Sequence, residues 1–271
     1  MGRLKHVPAL DKFRANCEQV TKLMHLYGEF LSERERGLRS ERKRKLCDCL
    51  QLPERTELDV AHRREWKYYV IVNRDRGGDV GLFTADGLSV LLRQAVVAIV
   101  SCMDGYFRDK FKDVAYHRVD TAIASHDSLP VWERKLPFGE LADIREYQRS
   151  GFVLQRILAN IATGATFQAP TEIAGFMKDI GIKNLWSGVR DRLPDALKLR
   201  YADGQALSKA VQNVTDRRNR IAHDADRIGT KPSPIDSKEV NEWITLITET
   251  VVAADKAIDE AKIILRSGKQ V

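Results

Sequence analysis

Apolar residues recur along most of the chain at steps of three and four, which is the spacing of one face of an α-helix. The last such segment opens with Asp236-Ser237-Lys238-Glu239, a capping box that marks a helix start. The predicted helices are, in chain order, 9–37, about 85–118, 152–161, 171–179, a weaker segment at 185–199, about 204–224 with Asp203 as its N-cap, and 237–266. This pattern predicts an all-α fold, a helical bundle.

The segment from Leu88 to Phe111 is apolar around most of its circumference, which predicts a helix buried in the middle of the bundle. Only Trp66–Val72 has strand character. Residues 121–150 contain prolines and few periodic apolar positions, so they are predicted to form an irregular connection. We predict an N-terminal helical or irregular appendage over residues 1–80 and a main helical domain over 81–271.

The composition, 43% apolar and 31% charged, is that of a folded soluble protein. A net charge of +7 concentrates polyanions around a protein, so nucleic acid or an anionic surface is one expected class of partner. A basic protein with no polyanion partner is the alternative, and the charge alone does not separate the two. No acidic cluster has the ligand spacing of a metal nuclease, so no metal or cofactor is expected.

The four cysteines do not predict a zinc site, since Cys47 and Cys49 are separated by one residue and no Cys/His pair stands at a matching distance. Cys102 lies in an apolar run and is predicted to be in the core. The first residues contain no apolar segment of a secretory signal. The apolar run Ala95–Val100 is too short to span a bilayer. We therefore expect a cytoplasmic protein with reduced thiols and no membrane contact.

One position breaks the apolar pattern of the helix predicted at 204–224. Its stripe runs, at steps of four, three, four and three, through Leu207, Val211, Val214, Arg218 and Ile221. A guanidinium on a core-facing stripe is costly unless it is paired or lines a water-filled groove. Such breaks of pattern are expected at functional sites.

Asn219 and His223 are four residues apart and therefore share one face of this helix, beside Arg218. An imidazole can exchange a proton near neutral pH, and a guanidinium can stabilise charge on phosphate oxygens. These groups can cleave RNA without a metal. The alternative is a solvated helix end with ordinary Asp216–Arg220 and Arg220–Asp224 pairs, in which the histidine only caps the helix dipole.

The string Arg218-Asn219-Arg220-Ile221-Ala222-His223 resembles the signature of the HEPN superfamily, an arginine, a polar residue, three further residues and a histidine. The upstream Ser101-Cys102-Met103-Asp104-Gly105-Tyr106 is similar to the Ser-x-x-(Asp/Glu)-x-Tyr segment of the RiboL-PSP-like HEPN branch. The resemblance covers about residues 85–265. It implies a metal-independent RNA endonuclease that leaves 2′,3′-cyclic phosphate ends, with Arg218, His223 and Asn219 at the catalytic centre. It also implies a homodimer with a shared site, acting as a toxin or an anti-phage effector.

Asp104 is the remaining candidate site residue, because a carboxylate in a nearly all-apolar helix needs a partner. It is expected either to fix Arg218 or orient His223, or to pair with Arg108 four residues on. Asp226 stands where toxins paired with nucleotidyltransferase antitoxins have a modified tyrosine, so that regulation is not expected, although another antitoxin or neutralising protein is. The alternative function is a non-catalytic HEPN-type module that binds RNA, a nucleotide or a protein.

Overall fold

The computed structural model describes residues 7–32, 58–62, 69–73, 85–125, 150–224, 226–228 and 231–266. The helices in these residues are α1 (Ala9–Ser32), α2 (Ala85–Ser125), α3 (Ser150–Gly164), α4 (Pro170–Asp179), α5 (Leu185–Asp191), α6 (Asp195–Arg200), α7 (Gly204–His223) and α8 (Ser237–Arg266). The strands are β1 (Leu58–His62), β2 (Tyr69–Asn73), β3 (Arg227–Ile228) and β4 (Lys231–Pro232). The predicted all-α bundle is confirmed.

Three local differences from the predicted pattern have physical reasons. Helix α2 continues to Ser125, into the segment predicted as irregular, since the first proline comes only at Pro130. The weak segment 185–199 is two helices, and α6 begins directly after Pro194. β1 pairs antiparallel with the predicted strand, and it was not predicted because Leu58-Asp59-Val60-Ala61-His62 alternates only over its first three residues. The predictions for 33–37 and 126–149 lie outside the described residues.

Two predicted helix starts are confirmed in atomic detail. The Asp203 carboxylate accepts a hydrogen bond from the backbone N–H of Ala206 at 2.8 Å and so caps α7. Asp236 accepts from the N–H of Glu239 at 2.8 Å at the start of α8. Each cap satisfies a donor that the first helical turn leaves without a partner, which fixes where the helix begins.

The chain divides into two compact units. One contains Met1–Glu18, Val96–Ser233 and Asn241–Val271, and the other contains Gln19–Ala95 and Pro234–Val240. Helix α7 lies entirely in the first unit. The boundary predicted near residue 80 stays a prediction.

Helix α2 supplies much of the core of the first unit. Met103, Phe107 and Phe111 are fully buried, and the Tyr106 ring packs edge-on against Phe13 of α1 with centroids 6.0 Å apart. Lys110, also buried, forms ion pairs with two aspartates of α8 at 2.7 and 2.8 Å. The prediction that Cys102 is a core residue is confirmed.

Helix α2 is long and apolar enough to be compared with a membrane-spanning helix. By length and mean hydropathy (1.5), Gly87–Arg118 is sufficient to cross a membrane, although its longest uninterrupted apolar run is too short. Half of its most apolar stretch is buried inside the protein. A core helix of a soluble protein has the same character, because it is apolar around its whole circumference.

Helix α7 packs against α4 and α5. Its close approach to α5 is possible because residue 204 is a glycine. A Cβ atom at Gly204 would lie 2.5 Å from the backbone N of Ser187 and 2.6 Å from the carbonyl carbon of Trp186. Only a residue without a side chain fits there. This contact fixes the N-terminal end of α7 in the first unit.

Candidate functional site

The predicted apolar stripe of α7 is buried as far as Val214 and opens after it. Leu207, Val211 and Val214 have no exposed surface, whereas Arg218 and Ile221 are half-buried. The same face of α7 therefore packs in the core over its first three turns and lies at the edge of the core over its last two turns. Arg218 is placed at this edge, where a cation can be half-buried without being sealed from solvent.

Arg218 has few partners for a half-buried cation. Its Nη1 donates a hydrogen bond to the Oδ1 of Asn219 at 3.0 Å. Its Nε is buried and has no hydrogen-bond partner, and no carboxylate pairs with the guanidinium among the described residues. The positive charge of Arg218 is therefore not paired with a carboxylate among the described residues, and its only described hydrogen bond is the one to Asn219.

His223 is the last residue of α7 and is exposed, one turn beyond half-buried Asn219. In the described part of the chain the imidazole makes no hydrogen bond or ion pair. The structure thus brings Arg218 and Asn219 into direct contact and places His223 at the open end of the same helix. The imidazole is therefore exposed at the end of α7, without a polar contact among the described residues.

The solvated-end alternative included two ion pairs along the helix, and neither forms within the described residues, although Arg220, His223 and Asp224 are all exposed. Asp216 instead accepts a hydrogen bond from the Nε2 of Gln212 at 2.8 Å. Arg220 contributes its backbone carbonyl to the helix end, while its side chain is exposed. The charges near the motif are therefore not organised as a chain of neighbouring surface pairs.

Asp104 does not contact Arg218, which corrects the first of the two expectations for it. One of its carboxylate oxygens accepts from Arg108 at 2.8 Å, and the other accepts from the backbone N–H of Phe167 at 2.6 Å. The expected alternative, a pair with Arg108 four residues on, is the one that forms. The reason is geometric, since residues four apart on a helix are neighbours and need no distant cation.

Asp104 nevertheless reaches α7 through the segment that precedes α4. It holds the N–H of Phe167, and the carbonyl of the next residue, Gln168, accepts a hydrogen bond from the hydroxyl of Thr215 at 3.0 Å. Thr215 is buried and lies one turn before Asn219. The carboxylate therefore supports the fold around the motif helix rather than touching the motif.

A second arginine, which the sequence pattern did not single out, forms the buried ion pair of this region. Arg217 Nη2 lies 2.9 Å from Asp226 Oδ2, and the two side chains are 11% and 0% exposed. The residues are nine apart across a helix end, a separation that neither helical nor strand periodicity detects. The sequence pattern therefore gave no signal for this pair.

A groove of about 540 Å³ lies at the other end of α7, beside Gly204 and Ser208. Its charged lining consists of two exposed lysines, Lys178 and Lys183, and includes no histidine. About fifteen residues of helix, roughly 22 Å, separate it from His223. The imidazole of His223 is therefore remote from this groove.

The chain matches a known protein family over most of its length. Residues 77–260, well over half of the chain, match the RiboL-PSP-HEPN family, and the matched segment includes α2 and all of α7. No curated protein and no solved structure matches the chain significantly. The extent of the family match shows that this chain belongs to the RiboL-PSP-HEPN family, a family of HEPN domains.

Proposed function

We propose that the protein is a metal-independent RNA endonuclease whose catalytic residues are Arg218 and His223. The proposal rests on the C-terminal end of α7. There Arg218, which has no counter-ion among the described residues, contacts Asn219, and His223 is exposed and makes no described hydrogen bond. Membership of a HEPN family, an RNA-related class of domain, supports it. The net charge of +7 favours the encounter with RNA.

The reaction needs only the substrate's own nucleophile. A general base removes the proton of a 2′-OH, whose oxygen attacks the adjacent phosphorus, and the bond from phosphorus to the 5′-oxygen breaks. A general acid returns a proton to that 5′-oxygen, so the products are a 2′,3′-cyclic phosphate and a 5′-hydroxyl. His223 exchanges the protons, and Arg218 stabilises the charge that builds up on the non-bridging oxygens. Asn219 positions Arg218 through its Oδ1 and offers its amide N–H to the phosphate.

A second copy of the chain completes this proposal. One imidazole cannot be the base and the acid in the same step, whereas a homodimer with a shared cleft supplies two. Specific activity should then fall when the protein is diluted below its dimerisation constant, as analytical ultracentrifugation measures it. Specific activity that is independent of concentration, in a protein that sediments as a monomer, would contradict the proposed homodimer.

The proposed setting is a cytoplasmic toxin or anti-phage effector, restrained by an antitoxin or another neutralising protein. Induced expression of the wild-type chain should arrest growth of a bacterial host, and expression of His223→Ala to the same level should not. Equal growth of the two strains, with equal amounts of soluble protein, would argue against a toxin.

The proposed chemistry is tested by incubating the pure protein with RNA in EDTA and identifying the new ends. We expect cyclic phosphate ends, and no cleavage of the same oligonucleotide when the 2′-OH at the cut position is replaced by hydrogen. Cleavage of the deoxy substrate would contradict internal attack by the 2′-OH. Well-folded protein that binds RNA without cutting it would indicate the alternative, a non-catalytic HEPN-type binding module.

A further inference from the structure

The chain must reverse direction directly after His223, and the structure shows which side of α7 it takes. The backbone carbonyl of Arg220 accepts two hydrogen bonds, from the N–H of Asp224 at 2.9 Å and from the N–H of Asp226 at 3.1 Å. Asp226 has a left-handed backbone, with φ of 51°, which is uncommon for a residue other than glycine. Its carbonyl then accepts from the N–H of Ser233 at 2.6 Å, which closes the β3–β4 hairpin.

The two flanks of the helix end differ in what covers them. Residues on an ideal α-helix are about 100° apart, so Arg217 and His223 point roughly 120° away from each other. The Arg217 flank carries the buried ion pair with Asp226, and Ser233 is also buried. The flank of Asn219 and His223 ends in an exposed imidazole. Asp226 and the β3 strand after it are therefore held on the Arg217 flank, while the flank of Asn219 and His223 is exposed at its end.

We infer that the Arg217–Asp226 ion pair is a positioning device, which holds Asp226 and the β3 strand after it on the Arg217 flank and keeps His223 accessible to RNA. Its consequence for RNA cleavage rests on the proposed function, but its consequence for the accessibility of His223 does not. Asp226 acts through the path of the chain, and neither partner touches substrate. The buried geometry favours this role, because removing one partner leaves a buried charge uncompensated and releases the segment that it held.

The test uses Asp226→Gly, which keeps the left-handed backbone without strain and removes only the carboxylate. Arg217→Met in the same chain also removes the cationic partner of the ion pair. The double variant therefore lacks both charges of the pair and adds no backbone strain at position 226. Circular dichroism and thermal unfolding show that it is folded before it is used, and Asp226→Asn serves as a second variant of nearly native shape.

The first readout is the rate at which diethylpyrocarbonate modifies His223 in the absence of RNA, measured by mass spectrometry. Exposed His117 on α2 is the internal reference. We expect the His223 rate to fall at least about two-fold relative to His117 in both variants, which corresponds to a released segment that covers the imidazole half of the time. An unchanged ratio in both folded variants would overturn the inference.

The second readout is the cleavage of RNA in EDTA, where kcat/KM should fall by the same factor as the accessibility of His223. If accessibility falls and the wild-type protein never cleaves RNA, the proposed function is wrong and the positioning role stands. If the wild-type protein cleaves RNA and both variants keep wild-type accessibility and kcat/KM, the positioning role is wrong and the proposed function stands.

Discussion

The two halves of α7 are similar in length but differ in burial and in the residues that they place on the same face. The N-terminal half buries an apolar stripe completely. It approaches α5 so closely that position 204 has room only for glycine. The C-terminal half places Arg218 and His223 at the edge of the core, with one half-buried and the other exposed. A rigidly packed half can hold a polar half in a fixed position, which is what a preorganised site requires. The comparison predicts that changes in the first half alter stability and changes in the second alter activity.

The largest expected effect on stability is that of Leu207→Ala. Leu207 is fully buried, so truncation should lower the free energy of unfolding by about 2–5 kcal/mol through lost burial and a residual cavity. Leu199→Ala is the matched control, because that leucine is 88% exposed and its loss should cost less than about 0.5 kcal/mol. Urea titration of both variants measures the difference. Equal costs would mean that the stripe does not anchor α7.

The largest expected effect on activity, after that of His223, is that of Arg218→Ala. Loss of a group that stabilises the transition-state charge should lower kcat by about 100- to 1,000-fold. Arg220→Ala removes an equal charge from an exposed position on the same helix, so it should change kcat much less. Single-turnover cleavage of a labelled RNA measures both rates. A similar loss in both variants would reduce the role of Arg218 to general electrostatic attraction.

Gly204→Ala tests the close contact in the first half of the helix. The added Cβ meets backbone atoms of α5, which cannot rotate away, so overpacking should cost about 1–3 kcal/mol. Gly175→Ala is the control, since a Cβ there meets nothing within 4 Å and alanine favours a helix. Thermal unfolding should order the proteins as Gly175→Ala, wild type and Gly204→Ala, from most to least stable. The reverse order would place the α5–α7 contact elsewhere.

Asp104→Asn separates support of the fold from participation in the site. The amide cannot replace both interactions of the carboxylate, so the free energy of unfolding should fall by about 1–3 kcal/mol. Because Asp104 touches neither Arg218 nor His223 among the described contacts, kcat/KM per folded molecule should stay within about two-fold of the wild type. A larger loss of kcat/KM in fully folded protein would show that the hydrogen bonds through Phe167 and Thr215 help to position Arg218 and His223.

The helices, the caps at Asp203 and Asp236 and the exceptional position of Arg218 could be predicted, because each is a local feature with a fixed spacing. The partner of Asp104 could be narrowed to two alternatives but not chosen, since the choice depends on which backbone N–H the segment before α4 presents. The Arg217–Asp226 pair could not be predicted. It forms only because the chain reverses at Asp226 with a left-handed backbone, and no periodicity encodes that reversal.

The central claim is that the imidazole at the open end of α7 transfers the protons of RNA cleavage. The most direct test compares the wild type with His223→Ala, at equal concentration and in EDTA, on one labelled RNA. We predict cleavage to cyclic phosphate ends by the wild type and a loss of about 100- to 10,000-fold in the variant, the size of a general acid–base contribution. The exposed position of His223 predicts unchanged stability. Equal cleavage by the two folded proteins would contradict the claim.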